Sequence, residues 1–275
     1  MTIWATLLDR TAVLFLGVGV GVAMGLAFAG GDEGNAPPPV PPVQTSSRQA
    51  PAPAGPPHPA ALTPAAVPAL EYMTPFSRQM LATVSEGRKV RVGVFGDSYG
   101  DGIWAALYHL LPAKKNYEVV KFSQQSTGFT RYGSLNLEDH VREQIADAPI
   151  DIAVISFGAN DTQGVMAGNH AAKLLSPEWQ DVVGKRVAGF VGILRAQGAT
   201  VYWVGLPRMR KPSYDADITG MNAFYAAKMR ELGVPWIDTL PLSVGPDGEF
   251  ALYLPDGPSQ ERKLMRANDG IHMSM

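Results

Sequence analysis

Short apolar runs recur along this chain, several of them ending at glycine and small polar residues, and helical stretches alternate with them. That alternation leaves few folds open. Val90-Arg91-Val92-Gly93-Val94-Phe95 is one such run; residues 117–122, 150–157, 199–204 and the shorter 235–238 are the others. Runs this apolar suit strands buried on both faces. Helical patterns lie between them at 102–111, stopped by Pro112, at about 177–196 and at about 222–232, with a short helix at 74–84 in front. The pattern predicts an α/β fold with a parallel sheet built by right-handed crossovers. Gly245-Pro246-Asp247-Gly248 marks a turn between short strands. No internal repeat is present.

Three clusters at the ends of these segments carry the chemistry. Gly96-Asp97-Ser98 closes the first run, Gly158-Ala159-Asn160-Asp161 closes the third, and Asp269-Gly270-Ile271-His272 comes last. A serine esterase needs a nucleophile, an oxyanion donor, and a base with a group that orients it. Ser98 falls in a strand-to-helix turn at the carboxyl end of a strand, where open α/β sheets place their ligands. The amino end of the next helix favours developing negative charge there. The competing reading makes Ser98 a helix cap or turn residue. Asn160 offers a side-chain amide to an oxyanion, or is a plain turn former. After the second run, Gly128 lets the backbone approach a ligand and offers its N–H.

His272 is the candidate base, and Asp269 would fix its tautomer if the segment is a turn running into a helix. The other histidines compete poorly. His58 lies in a proline-rich stretch, His109 within an apolar helix, and His140 and His170 in polar connecting segments. No histidine pair has metal-site spacing and cysteine is absent, so no metal or cofactor is expected.

These clusters, in this order, give residues 90–275 a resemblance to the SGNH hydrolase superfamily, the GDSL-like esterases and lipases. The resemblance implies a three-layer α/β/α sandwich with a flavodoxin-like parallel sheet and no metal. It implies Ser98 as nucleophile, with the N–H groups of Ser98 and Gly128 and the side chain of Asn160 forming the oxyanion hole. Asp269 and His272 would complete the triad. Tyr99 stands where the family often has leucine. Chains of the family usually continue past the histidine into a helix that packs on the sheet. Here only Met273-Ser274-Met275 follow, so the expected domain, 70–275, lacks that helix and its histidine lies on the last few residues.

The front of the chain is organised differently. Residues 11–29 are nearly uncharged and apolar, as in a signal anchor with the carboxyl side translocated. Ala27-Phe28-Ala29 before Gly30 also resembles a signal-peptidase site, so 1–30 reads as anchor or cleaved signal peptide. Residues 31–69 are rich in proline and alanine and cannot build a core. Fully extended, such a tether reaches on the order of 100 Å. The expected setting is the inner membrane with the catalytic domain outside it, or secretion to the periplasm.

Two features bear on substrate. The basic loop Arg208-Met209-Arg210-Lys211 would attract an anionic glycan, or is simply solvated. Trp104, Phe129 and Tyr132 would serve as platforms for sugar rings, or pack in the core. A net charge of -2 over 275 residues speaks against nucleic acid. The expected partners are an acylated carbohydrate or other small ester, and a membrane through the N-terminal segment. An O-acyltransferase using the same residues and a non-catalytic glycan-binding module are the alternatives.

Overall fold

The structure, a computed structural model, describes residues 77–111, 113–256 and 261–274. The expected leader and linker, His58, Pro112 and the start of the expected front helix lie outside the described residues. Within them, no helix is long and apolar enough to cross a membrane.

The chain runs through α1 (Arg78–Ser85), β1 (Val90–Gly96), α2 (Ser98–Leu110), β2 (Tyr117–Lys121), α3 (Leu137–Ile145) and β3 (Ile152–Ser156). A hairpin of β4 (Val165–Ala167) and β5 (His170–Ala172) follows. Then come α4 (Pro177–Ala196), β6 (Thr200–Val204), α5 (Pro212–Leu232) and β7 (Trp236–Ile237). A second hairpin, β8 (Tyr253–Pro255) with β9 (Arg262–Leu264), comes last. One parallel sheet has the order β2-β1-β3-β6-β7. From β1 the chain moves first to one side and later to the other. That is the flavodoxin-like order, and it opens a crevice between the carboxyl ends of β1 and β3.

Helices cover both faces of the sheet, giving the three-layer α/β/α sandwich. On one face Phe95, Ala153, Ile155, Val201 and Trp203 are all buried, and α3 packs on α4 and α4 on α5 over them. Phe129 stacks on Trp203 at 6.1 Å and meets Phe157 and Phe190 edge-on at 5.0 and 5.7 Å. A fully enclosed ring in this cluster cannot be a sugar platform, which corrects that reading of Phe129. On the other face Ile152, Val154, Tyr202 and Val204 are half-buried, and α1 and α2 lie against β1.

Several boundaries differ from expectation for local reasons. Helix α2 starts at Ser98, four residues before the expected 102, because Asp97 caps it by accepting the Tyr99 N–H at 2.9 Å. Helix α5 starts ten residues before the expected 222, with Pro212 in its first turn and Ile218, Met221, Phe224, Tyr225 and Met229 buried at helical spacing. Gly220 obscured that pattern; a side chain there would meet Leu175 at 2.5 Å. His140 lies on α3 and His170 on β5, not in connecting loops. The turn at 245–248 does join short extended pieces, through an antiparallel bridge of Val244 with Phe250.

The turn from β1 to α2 tolerates only glycine at its pivot. Gly96 has φ 154°, and a Cβ there would lie 2.3 Å from the Ser156 carbonyl oxygen and 2.9 Å from Gly100 Cα. Gly96→Ala therefore forces β1 and β3 apart at the site. Urea unfolding of this variant is expected to show a loss of more than about 2 kcal/mol.

Candidate active site

Ser98 is the first residue of α2, so its backbone N–H is one of the donors that an α-helix leaves without an internal partner. The Ser98 hydroxyl lies 2.8 Å from His272 Nε2, and His272 Nδ1 lies 2.6 Å from Asp269 Oδ2. A carboxylate only accepts, so Nδ1 carries the proton and Nε2 is left to accept from the serine. Asp269 Oδ1 also accepts the N–H groups of Ile271 and His272 at 2.8 and 3.0 Å. Slight burial works against ionisation. The hydrogen bond from His272 and these two N–H groups outweigh it and hold the Asp269 carboxyl down at about 2. Asp269 is thus an anion at any ordinary working pH.

No helix forms around His272; the segment is a tight loop closed by an antiparallel bridge of Arg266 with Met273. The Ala267 N–H donates to the His272 carbonyl at 2.9 Å and Ser274 N–H to the Met265 carbonyl at 3.0 Å. The histidine, expected on a poorly anchored end, is held by backbone pairing.

Asn160 and Gly128 come together through a hydrogen bond. Asn160 Nδ2 donates to the Thr127 carbonyl at 3.1 Å, leaving its second N–H for another acceptor. Gly128 lies against a buried acid: a Cβ there would stand 2.5 Å from Asp161 Oδ1. Asp161 accepts Thr130 N–H and Oγ1–H at 2.7 and 2.8 Å and the Tyr225 hydroxyl at 3.2 Å. It thereby shapes the loop that carries Gly128. Tyr214 OH donates to the Ala159 carbonyl at 2.7 Å.

Three other candidates sit apart from this chain of hydrogen bonds. Trp104, six residues along α2 from Ser98, lies under Lys121 Nζ at 5.6 Å and against Tyr108. Arg208 pairs with Asp215 at 3.0 Å and Glu249 at 3.1 Å. Arg210 donates from Nη1 to the Asn268 carbonyl at 2.7 Å and from its backbone to the Gly270 carbonyl at 3.0 Å. The two arginines are therefore engaged with protein groups, and Arg210 braces the loop of His272. A groove of about 460 Å³ runs beside them, lined also by Asp215, Glu249 and Phe250.

Tyr99, Arg266, Asp97 and Asp161 have no role in the sequence reading. The two acids were within reach, since both stand inside the quoted clusters and follow strongly apolar runs. Asp97 is fully buried, and burial lifts its carboxyl to about 7. The N–H groups of Tyr99, Asn160 and Gly158 pull it back, while the nearby Asp161 adds to the rise. Its ordinary value is 3.8, so between about pH 4 and 7 the proton is bound in the folded state and lost in the unfolded one. Stability from this group is fullest below about pH 4 and declines as the pH rises to about 7, by on the order of a few kcal/mol. Asp97→Asn is expected to flatten that slope, as judged by urea unfolding at pH 4.5 and 7.5 against the parent.

A family model described as "Protein of unknown function (DUF459)" matches residues 91–275. No curated protein matches the chain. Among solved structures, a GDSL-like lipase from Bacteroides thetaiotaomicron is similar over 71% of this chain and 89% of its own, at 17% identity and a TM-score of 0.45. A member of the lipolytic G-D-S-L family from Veillonella parvula is similar over 67% and 90%, at 13% identity and a TM-score of 0.45.

Proposed function

We propose that this chain, which belongs to the DUF459 family, is a serine esterase. Its substrate is an O-acetyl or similar short acyl ester on an envelope carbohydrate. The observation that carries the reading is the unbroken hydrogen-bonded series from Ser98 through His272 to Asp269.

The chemistry follows from those contacts. Ser98 Oγ attacks the acyl carbonyl while His272 Nε2 takes its proton, and the Asp269 anion steadies the imidazolium. Negative charge gathers on the former carbonyl oxygen. It is met by the N–H groups of Ser98 and Gly128 and the free N–H of the Asn160 amide. As the carbon–oxygen bond to the sugar breaks, His272 returns the proton to the leaving oxygen. Water, deprotonated by the same nitrogen, then releases the acid from Ser98. A sugar hydroxyl in place of that water gives acyl transfer with the same residues.

The envelope setting is supported by the apolar run 11–29 and the proline- and alanine-rich stretch after it.

A fluorophosphonate probe is expected to label the full-length protein at Ser98, and Ser98→Ala to abolish both labelling and hydrolysis of p-nitrophenyl acetate. Asn160→Ala removes one oxyanion donor and is expected to lower kcat by roughly a hundredfold. A folded protein that binds glycan yet resists the probe and hydrolyses no ester is a binding module, and the catalytic reading is then wrong.

Alkaline phosphatase fused after residue 69 tests the setting separately. Active fusions are expected; inactive ones place the domain inside the cell. A mature amino terminus at Gly30 would replace the anchor with a cleaved signal peptide.

A further inference from the structure

His272 stands in a loop that no helix or long strand shapes, yet a catalytic imidazole must be held to within about 0.5 Å of its working position. On the N–H side, the Asp269 carboxylate grips the loop through residues 271 and 272. On the carbonyl side two other residues do so. Arg266 Nη2 donates to the Ile271 carbonyl at 2.8 Å, its Nε lies 3.4 Å from the His272 carbonyl, and Nη1 donates to the Arg208 carbonyl at 2.6 Å. The Tyr99 hydroxyl donates to the same Ile271 carbonyl, and its ring lies 5.9 Å from the imidazole, nearly parallel to it.

We propose that Tyr99 and Arg266 are positioning residues that clamp the Ile271–His272 backbone and so set the distance from base to nucleophile. This rests on the esterase reading for its kinetic consequence, but the clamp itself is a structural statement.

Three observations carry it. Arg266 is fully buried, a costly place for a guanidinium unless its donors are spent on well-placed acceptors. Here they go to carbonyls on two segments, 208 and 271–272, with the Phe250 ring 4.8 Å from the guanidinium carbon. A planar fork reaches several acceptors in fixed directions, and an ammonium does not. Secondly, Tyr99 follows Ser98 directly, so its hydroxyl ties the base loop to the residue beside the nucleophile. Burial keeps that phenol neutral and therefore a donor. Thirdly, Tyr99 packs with Leu206, Met209 and Ile218 in a small apolar cluster that Ile271 joins, separate from the main core. A leucine at 99 would fill this space and leave the Ile271 carbonyl one donor short.

The test uses the full chain with Tyr99→Phe and Arg266→Lys. Three quantities are read: kcat and KM for p-nitrophenyl acetate, the thermal midpoint, and the low-field proton resonance of His272 Nδ1–H, assigned by its absence in His272→Ala. Tyr99→Phe keeps the ring and loses one hydroxyl. Its midpoint is expected to move by no more than about 4 °C. Its kcat should fall roughly tenfold at unchanged KM, because misplacement acts on the chemical step. The low-field resonance should broaden or shift upfield. Arg266→Lys should do the same to a greater degree, and if it fails to fold, Tyr99→Phe decides alone. A Tyr99→Phe protein with parental kcat and an unchanged resonance overturns the clamp, whatever its midpoint. If the parent hydrolyses nothing, the esterase reading fails instead, and the resonance in parent and Tyr99→Phe still decides the clamp.

Discussion

Gly96 of β1 and Ser156 of β3 pair in parallel register, and beyond them the two strands part. One turns at once into α2, bringing Ser98 to the helix start. The other runs through Gly158 to Asn160 and Asp161. Because β2 lies on the far side of β1, the loop after it returns toward the same crevice with Thr127 and Gly128, where Asn160 meets it. Strand order thus brings the loops of three candidate groups to one crevice, and the bonds of Asn160 and Asp161 to the 127–130 loop fix them there. That order follows from buried strands joined by right-handed crossovers. The base arrives by another route, on a terminal loop outside the sheet, and has to be fastened there by side chains.

Charge is buried asymmetrically beneath the two halves. Under the nucleophile and the Gly128 loop lie the carboxyls of Asp97 and Asp161, both enclosed and both pushed up by burial. A fixed anion at the start of α2 would oppose an oxyanion forming on the same helix end. Burial lessens that conflict by favouring the neutral acid, which still accepts the Tyr99 N–H. Under the base loop lies the Arg266 guanidinium, whose cation favours the Asp269 anion that His272 requires. On the esterase reading, the helix end and the arginine favour negative charge where the reaction would create or need it, and burial of the two acids reduces their opposition to it.

Much of this was legible in the residues. The strand runs at 90–95, 150–157 and 199–204 are largely apolar and bounded by glycine or polar clusters, and the edge strand at 117–122 keeps Val119 and Val120 between exposed Glu118 and Lys121, so each was legible as a strand. Helix α4 was read with both of its ends, Pro177 and Ala196, because Ser176 caps it and its buried residues keep a helical period. Helix α5 was half-missed, since Ser213, Asp215, Asp217 and Thr219 break up the apolar positions of its first half and Gly220 lies beside Met221. The two small hairpins escaped because their strands are three residues long and settle their pairing through contacts elsewhere. Ser98, Asn160, Asp269 and His272 carry their chemistry in their letters. Tyr99 and Arg266 do not. A tyrosine beside a serine and one arginine among several have no local pattern, and their partners are backbone carbonyls over a hundred residues away or across a loop.

That difference bears on how such a site tolerates change. The nucleophile half rests on the main core, where Phe95, Phe129, Phe157, Phe190 and Trp203 interlock and substitutions are felt as lost packing over a large cluster. The base half rests on Tyr99, Leu206, Met209 and Ile218 with Ile271, a cluster small enough to open without unfolding the sheet. His272 and Asp269 are also the more exposed members, each with over 40% of its side chain accessible. Solvent there weakens the ion pair that forms when His272 takes the proton, and a substrate settling over the loop would remove that solvent and strengthen it. On the esterase reading, the loop of residues 266–273 is therefore where local stability and chemistry are coupled most directly. Its fastening to Tyr99 makes the residue after the nucleophile part of the support for the base.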